Sequence, residues 1–100
     1  MTDRSTYTVR FATAVKGDVR KLDKQLQRIV QKEHLASIER DPFKASPLLY
    51  EFRGLLSYHF SHKGNQYRII YEVYPEEQIV LVIMIGSRER LYEALRRRLK

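Results

Sequence analysis

The residues best suited to chemistry gather in the second half of this sequence. His59, Ser61, His62 and Lys63 fall in one run, Arg68 follows, then Arg88 and Arg90, and then Tyr92. An imidazole titrates near neutrality, at about 6.5, so His59 or His62 is suited to moving a proton. Arginine grips phosphate oxygens through two N–H groups at once, and tyrosine stacks on unpaired bases. These are the parts that metal-free RNA cleavage requires. It needs a base for a 2′-hydroxyl, cations for the extra charge on phosphorus, and an acid for the departing 5′-oxygen. Each residue also has a plainer reading. Arg68 could be a strand residue paired with Glu72 or with an acidic helix residue, a strand histidine could simply pack, and Tyr92 could be a core aromatic. The run Arg96-Arg97-Arg98 could be a solvated tail.

The elements that must position these residues follow from hydrophobic period. Tyr7, Val9 and Phe11 alternate with Thr8 and Arg10, the pattern of a strand with one buried face. Apolar residues from Val15 to Ile38 then form a helical stripe. Gly17 weakens its start and Asp23 can cap a second segment, so the pattern predicts a short helix near 13–22, with Thr13 as its cap, and a longer one near 24–40. Asp41-Pro42 stops it. Residues 41–57 read as a packed connection with little regular structure. Tyr58, Phe60 and His62 alternate up to Gly64-Asn65, and Tyr67, Ile69, Tyr71 and Val73 alternate down to Pro75, which predicts a hairpin. After a turn at 75–78, the wholly apolar run Ile79 to Ile85 predicts the most buried strand. Leu91, Leu95 and Leu99 recur at helical spacing beyond Gly86.

The expected fold is therefore α+β. An N-terminal strand and two helices pack on an antiparallel-rich four-stranded sheet, with room for a short C-terminal helix. On the hairpin return, Tyr67, Ile69 and Tyr71 share one face and Arg68 and Ile70 the other; the Arg68 face is the better candidate to stay open.

One hundred residues, 43% of them apolar, suffice for one modest core, so a single domain over 1–100 is expected. Cysteine is absent, which removes disulfides, thiolate nucleophiles and the usual zinc sites, and the three histidines lack metal-binding spacing. No metal or cofactor is expected. A formal net charge of +7 and a pI near 9.9 favour a polyanionic partner such as RNA, DNA or an acidic protein. No apolar run approaches the ~18 residues of a membrane span, and Met1 to Arg10 is too polar for a secretory leader. A cytoplasmic protein without a membrane partner is the expectation.

The ordered set resembles the RelE/ParE toxin superfamily over most of the chain. The likeness rests on Tyr7-x-Val9-x-Phe11, the double helix ending at Asp41-Pro42, Leu55 with Tyr58, Gly64-x-x-Tyr67-Arg68-Ile69-Ile70-Tyr71, and Ile85-Gly86-Ser87-Arg88 followed by Tyr92. The resemblance implies the toxin of a type II toxin–antitoxin pair. Its RelE branch consists of mRNA interferases, endoribonucleases that enter the ribosomal A site and cut mRNA through a 2′,3′-cyclic phosphate without metal. By that likeness Arg68 and Arg88 would stabilise the strained phosphate, and Tyr92 would stack on or orient a base. Arg90 is a weaker member of the cluster. The sequence departs from the branch at the base: His59 and Ser61 occupy positions where relatives can carry two lysines, with His62 and Lys63 beside them as substrate-binding candidates. Implied partners are a cognate antitoxin, the ribosome and mRNA. The ParE branch implies DNA gyrase inhibition instead, and a third reading is a basic RNA- or protein-binding module without catalysis. The terminal helix is the element an antitoxin is expected to displace.

Overall fold

The computed structural model describes residues 6–100. Residues 1–5, half of the polar opening segment weighed above as a leader, lie outside the described residues. Strand β1 (Thr8–Phe11) leads into helix α1 (Val15–Arg20). Helix α2 (Lys24–Ile29) then continues through a π-helical turn (Val30–His34) into α3 (Leu35–Arg40). The predicted break falls at Asp23, whose carboxylate accepts a hydrogen bond from the Leu26 amide at 2.8 Å and so satisfies one open N–H of α2. Thr13 does not cap α1: Ala14 stands at that position without a side-chain bond. Asp41 ends α3 and accepts from the Phe43 amide in the turn that follows.

The rest of the chain builds the sheet. Strands β2 (Ser46–Pro47), β3 (Leu56–His62), β4 (Asn65–Tyr74) and β5 (Ile79–Ser87) precede helix α4 (Leu91–Arg98). The order across the sheet is β1-β5-β4-β3-β2; β1 runs parallel to β5 and the other neighbours are antiparallel. The sheet thus has five strands where four were expected. The addition is β2, which at two residues is too short for an alternating pattern and carries Pro47 at an edge, where a missing N–H costs no interior ladder bond. The β3–β4 hairpin turns at Lys63-Gly64, with φ of +52° and +83°, rather than at Gly64-Asn65. Asn65 already pairs with His62.

Apolar alternation sends the strands' side chains to both faces of the sheet. Phe60, Ile69, Tyr71, Val80, Val82 and Ile85 meet Val15, Leu26, Val30 and Ile38 of the helical layer. On the other face Ile70, Ile83 and Met84 meet Leu91 and Leu95 of α4, together with Phe52 and Leu55. A register shift between Ile70 and Tyr71 admits the consecutive Ile83 and Met84 to this second cluster. The Arg68 face is therefore covered at its Ile70 end and open beyond it. Each fully buried leucine of α4 contributes roughly 1.5–3 kcal/mol to holding that cover in place.

A polar clamp fixes the far end of α4. Pairing of β1 to β5 stops at Val82, so β5 runs on with an uncovered edge. Asp18 of α1 accepts the Ile85 amide at 3.0 Å, and Arg98 donates to the Ile83 carbonyl at 3.0 Å. Arg98 also meets Asp18 through two bonds, at 2.6 and 2.9 Å. The pair satisfies strand groups that would otherwise lack partners, and it joins the first and last helices.

Candidate active site

Strand pairing decides which of the candidate residues meet. His59 on β3 lies directly opposite Arg68 on β4, so both project from the face that α4 partly covers. Arg68 lies opposite Gly86 on β5, which presents no side chain beside it. The guanidinium reaches across to α4, where Nη1 donates to Tyr92 Oη at 2.9 Å and Cζ lies 5.8 Å from the ring centroid. Glu72, the acidic partner that strand reasoning offered Arg68, is instead engaged by Tyr74 Oη at 2.8 Å.

His59 Nε2 lies 3.0 Å from Ser57 Oγ, a hydroxyl two residues back on the same face and almost wholly buried. The His59 pKa is lowered from the ordinary 6.5, first by burial and then by the positive charge of Arg68. Both causes favour the neutral imidazole, the form that can accept a proton.

The other candidates take different places. Arg88 is exposed just past β5, and its backbone N–H bonds the Gln66 carbonyl at 2.9 Å. This continues the ladder one step beyond Arg68 and Gly86. Ser61 stands opposite Gln66 and shares the His59 face; Lys63 sits in the hairpin turn at its end. Arg90 has φ +56°, caps the start of α4, and borders the groove between α4 and α1 rather than the Arg68 cluster. His62 is separated from the cluster. Its even position places it with Tyr58 and Phe60 on the helical face, where its Nε2 is buried without a hydrogen-bond partner among the described residues.

Sequence reasoning missed the groove beside the cluster. Residues 46–52, His59, Tyr92 and Arg96 enclose about 480 Å³. Within it the Tyr92 ring stacks on Phe52 with centroids 5.8 Å apart and planes 25° apart, and Arg96 Nε is paired with Glu51. No three His, Asp or Glu side chains among the described residues converge as a metal ion would need.

The family model described as a ParE-like toxin of type II bacterial toxin–antitoxin systems matches residues 8–96. The chain belongs to the RelE/ParE superfamily of toxins. Toxin RelG of Mycobacterium tuberculosis is 29% identical over 87 residues, covering 86% of this chain and 95% of RelG. The RelBE2 toxin–antitoxin complex of the same organism contains a chain 28% identical to this one, with a TM-score of 0.71, covering 83% of this toxin and 99% of that chain. Free E. coli RelE, in a doubly substituted form, shares the fold at a TM-score of 0.70 and 23% identity, over 92% of this toxin and 97% of RelE. These likenesses place the toxin with the RelE-like branch. Among the described residues, no helix is long and apolar enough to cross a membrane.

Proposed function

We propose that this toxin is a ribosome-dependent mRNA endonuclease acting in the cytoplasm and neutralised by a cognate antitoxin. The observation that carries the reading is the convergence of the His59 imidazole with Arg68 and Tyr92 on one partly open sheet face. The toxin–antitoxin complex containing the RelBE2 relative supports the partner. A +7 toxin would meet an acidic antitoxin, or RNA, at rates that fall with salt.

In the tautomer whose Nε2–H is donated to Ser57, the other ring nitrogen of His59 carries the lone pair that takes the 2′-hydroxyl proton. The 2′-oxygen attacks the adjacent phosphorus, and the bond to the 5′-oxygen breaks, leaving a 2′,3′-cyclic phosphate. Arg68 holds a non-bridging oxygen as its charge grows, and Arg88 supplies a second cation from the next step of the ladder. Tyr92 accepts from Arg68 and keeps its own hydroxyl proton, which it donates toward the departing oxygen.

Primer extension tests the reading directly. Purified toxin is added to ribosomes programmed with a defined mRNA and an empty A site, beside a ribosome-free control and a gyrase supercoiling assay. Ribosome-dependent cuts inside the A-site codon are expected. Blocked supercoiling without cuts would make the toxin a gyrase inhibitor instead. Silence in both assays would leave a binding module.

A further inference from the structure

The Tyr92 ring is already engaged. It stacks on Phe52, and its hydroxyl and ring face hold Arg68. Beside it, at the lip of the groove, Tyr50 is 85% exposed, the most open of the large apolar side chains among the described residues. Its backbone stands at φ +57°, a conformation that costs a non-glycine residue of order 1 kcal/mol or more and is retained where surrounding structure imposes it. Leu49, 64% exposed, lies next to it.

We propose that the groove between residues 46–52 and the His59–Tyr92 face is a subsite for an unpaired nucleobase next to the scissile phosphate, with Tyr50 as its stacking residue. The inference rests on the nuclease reading and deepens it. His59 and Tyr92 line both the groove and the cluster, so a base seated there has its phosphate beside Arg68. Tyr50, Phe52, His59 and Tyr92 put aromatic rings among its walls, and the volume lies within the ~300–1,000 Å³ of small-molecule sites. The Glu51 charge is balanced by Arg96, whose guanidinium lies 5.7 Å from the Phe52 ring centroid, so the groove does not repel a nucleotide. An apolar side chain of a protein partner would find the Leu49 wall but no use for the neighbouring arginine. A nucleotide uses both.

The test uses full-length toxin and programmed ribosomes. Three mRNAs carry 2-aminopurine at one of the A-site codon positions and 2′-deoxyribose at the attacking nucleotide, so that none is cut. Wild type quenches the fluorescence at one position. Tyr50→Ala loses that quench and binds about 10-fold more weakly, the scale of losing one base–aromatic stack, while Tyr50→Phe keeps both. On cleavable mRNA, Tyr50→Ala raises the half-saturating toxin concentration by a similar factor and leaves the maximal rate within about 3-fold, whereas a collapsed site would lower the rate itself. A wild type that cuts, with Tyr50→Ala equal to it in quench and affinity, overturns the subsite and spares the nuclease. Tyr50-dependent quenching without cutting supports the subsite and removes the nuclease. Neither binding nor cutting by wild type overturns both. Unchanged RNA binding by Tyr50→Ala with weakened antitoxin binding gives the groove to the protein partner and overturns the proposal.

Discussion

Arg68 Nη1 donates to Tyr92 Oη at 2.9 Å, a bond between β4 and α4 that joins residues 24 apart in sequence. Gly86, the residue opposite Arg68 on β5, presents no side chain beside the guanidinium. The bond aims the guanidinium and leaves its other N–H groups for phosphate. Arg68→Ala is therefore expected to lower the maximal cleavage rate by at least ~10²-fold, the scale of losing a preorganised oxyanion partner. Tyr92→Phe, which leaves the cation in place, should lose more than ~3-fold but less than Arg68→Ala. Single-turnover cleavage measures both, and cutting by Arg68→Ala at near wild-type rate would remove the residue from the site.

Arg88 is exposed, and its backbone N–H, which a substitution keeps, holds the ladder to Gln66. Arg88→Ala should thus lose ~10²-fold in cleavage while its unfolding free energy stays within about 0.5 kcal/mol of wild type. Arg90 borders the other side of α4 in a left-handed conformation that glycine adopts freely. Arg90→Gly should cut within about 3-fold of wild type. Equal losses at the two positions would refute the assignment of the second cation to Arg88.

The His59 pKa is lowered by burial and by the Arg68 charge, so its titration in the free toxin lies below the ordinary 6.5. Cleavage under subsaturating conditions should rise with pH and show a midpoint below that of free imidazole. Arg68→Ala removes one of the two causes and should move the residual midpoint upward. His59→Gln should be impaired at least ~10²-fold, and Ser57→Ala less, through loss of the ring's orientation. A flat profile from pH 5 to 8 would show that His59 is not the base.

Most of the frame was legible because hydrophobic period reports faces directly. The Asp23 break, the Asp41 stop, the meander and the buried apolar strand β5 all follow from local pattern. The fifth strand was not legible, since Ser46–Pro47 owes its pairing to Ser57 and Leu56, far along the chain. Part of the site was readable by parity alone. His59 and His62 differ by an odd number of positions, so one strand cannot present both on one face, and grouping them overlooked that rule. Ser57, an even step from His59, carried the opposite signal. The Phe52–Tyr92 stack and the Asp18–Arg98 clamp left no local trace, because both join residues brought together only by α4.

His34 supplies a pH test of the fold away from the site. Its ring stacks 4.1 Å from the Phe60 centroid and Nδ1 lies 2.9 Å from Tyr58 Oη. Burial lowers its pKa, opposed by the nearby Glu33 charge. The folded value lies below the unfolded 6.5, so the unfolded chain binds the proton more readily. The contribution is present above pH 6.5 and is lost as pH falls through the folded value. In urea titrations at pH 7.0, 6.0 and 5.0, His34→Leu should show a shallower decline than wild type. An identical slope would mean that the ring titrates alike in both states.

The Asp18–Arg98 clamp predicts a larger effect. Asp18 is nearly buried and holds both Arg98 and the Ile85 amide, so Asp18→Ala leaves a cation and a strand N–H without their partner. Removing one member of a buried pair costs about 3–5 kcal/mol. Arg98 is partly exposed, so Arg98→Ala should cost less, nearer ~2 kcal/mol, though it strands the Asp18 charge. Since α4 carries Tyr92, both variants should also weaken cleavage through Arg68 orientation. Urea unfolding followed by circular dichroism checks the first claim, and single-turnover cutting checks the second. Loss of stability with wild-type cutting would show that α4 keeps Tyr92 in register through Leu91 and Leu95 alone.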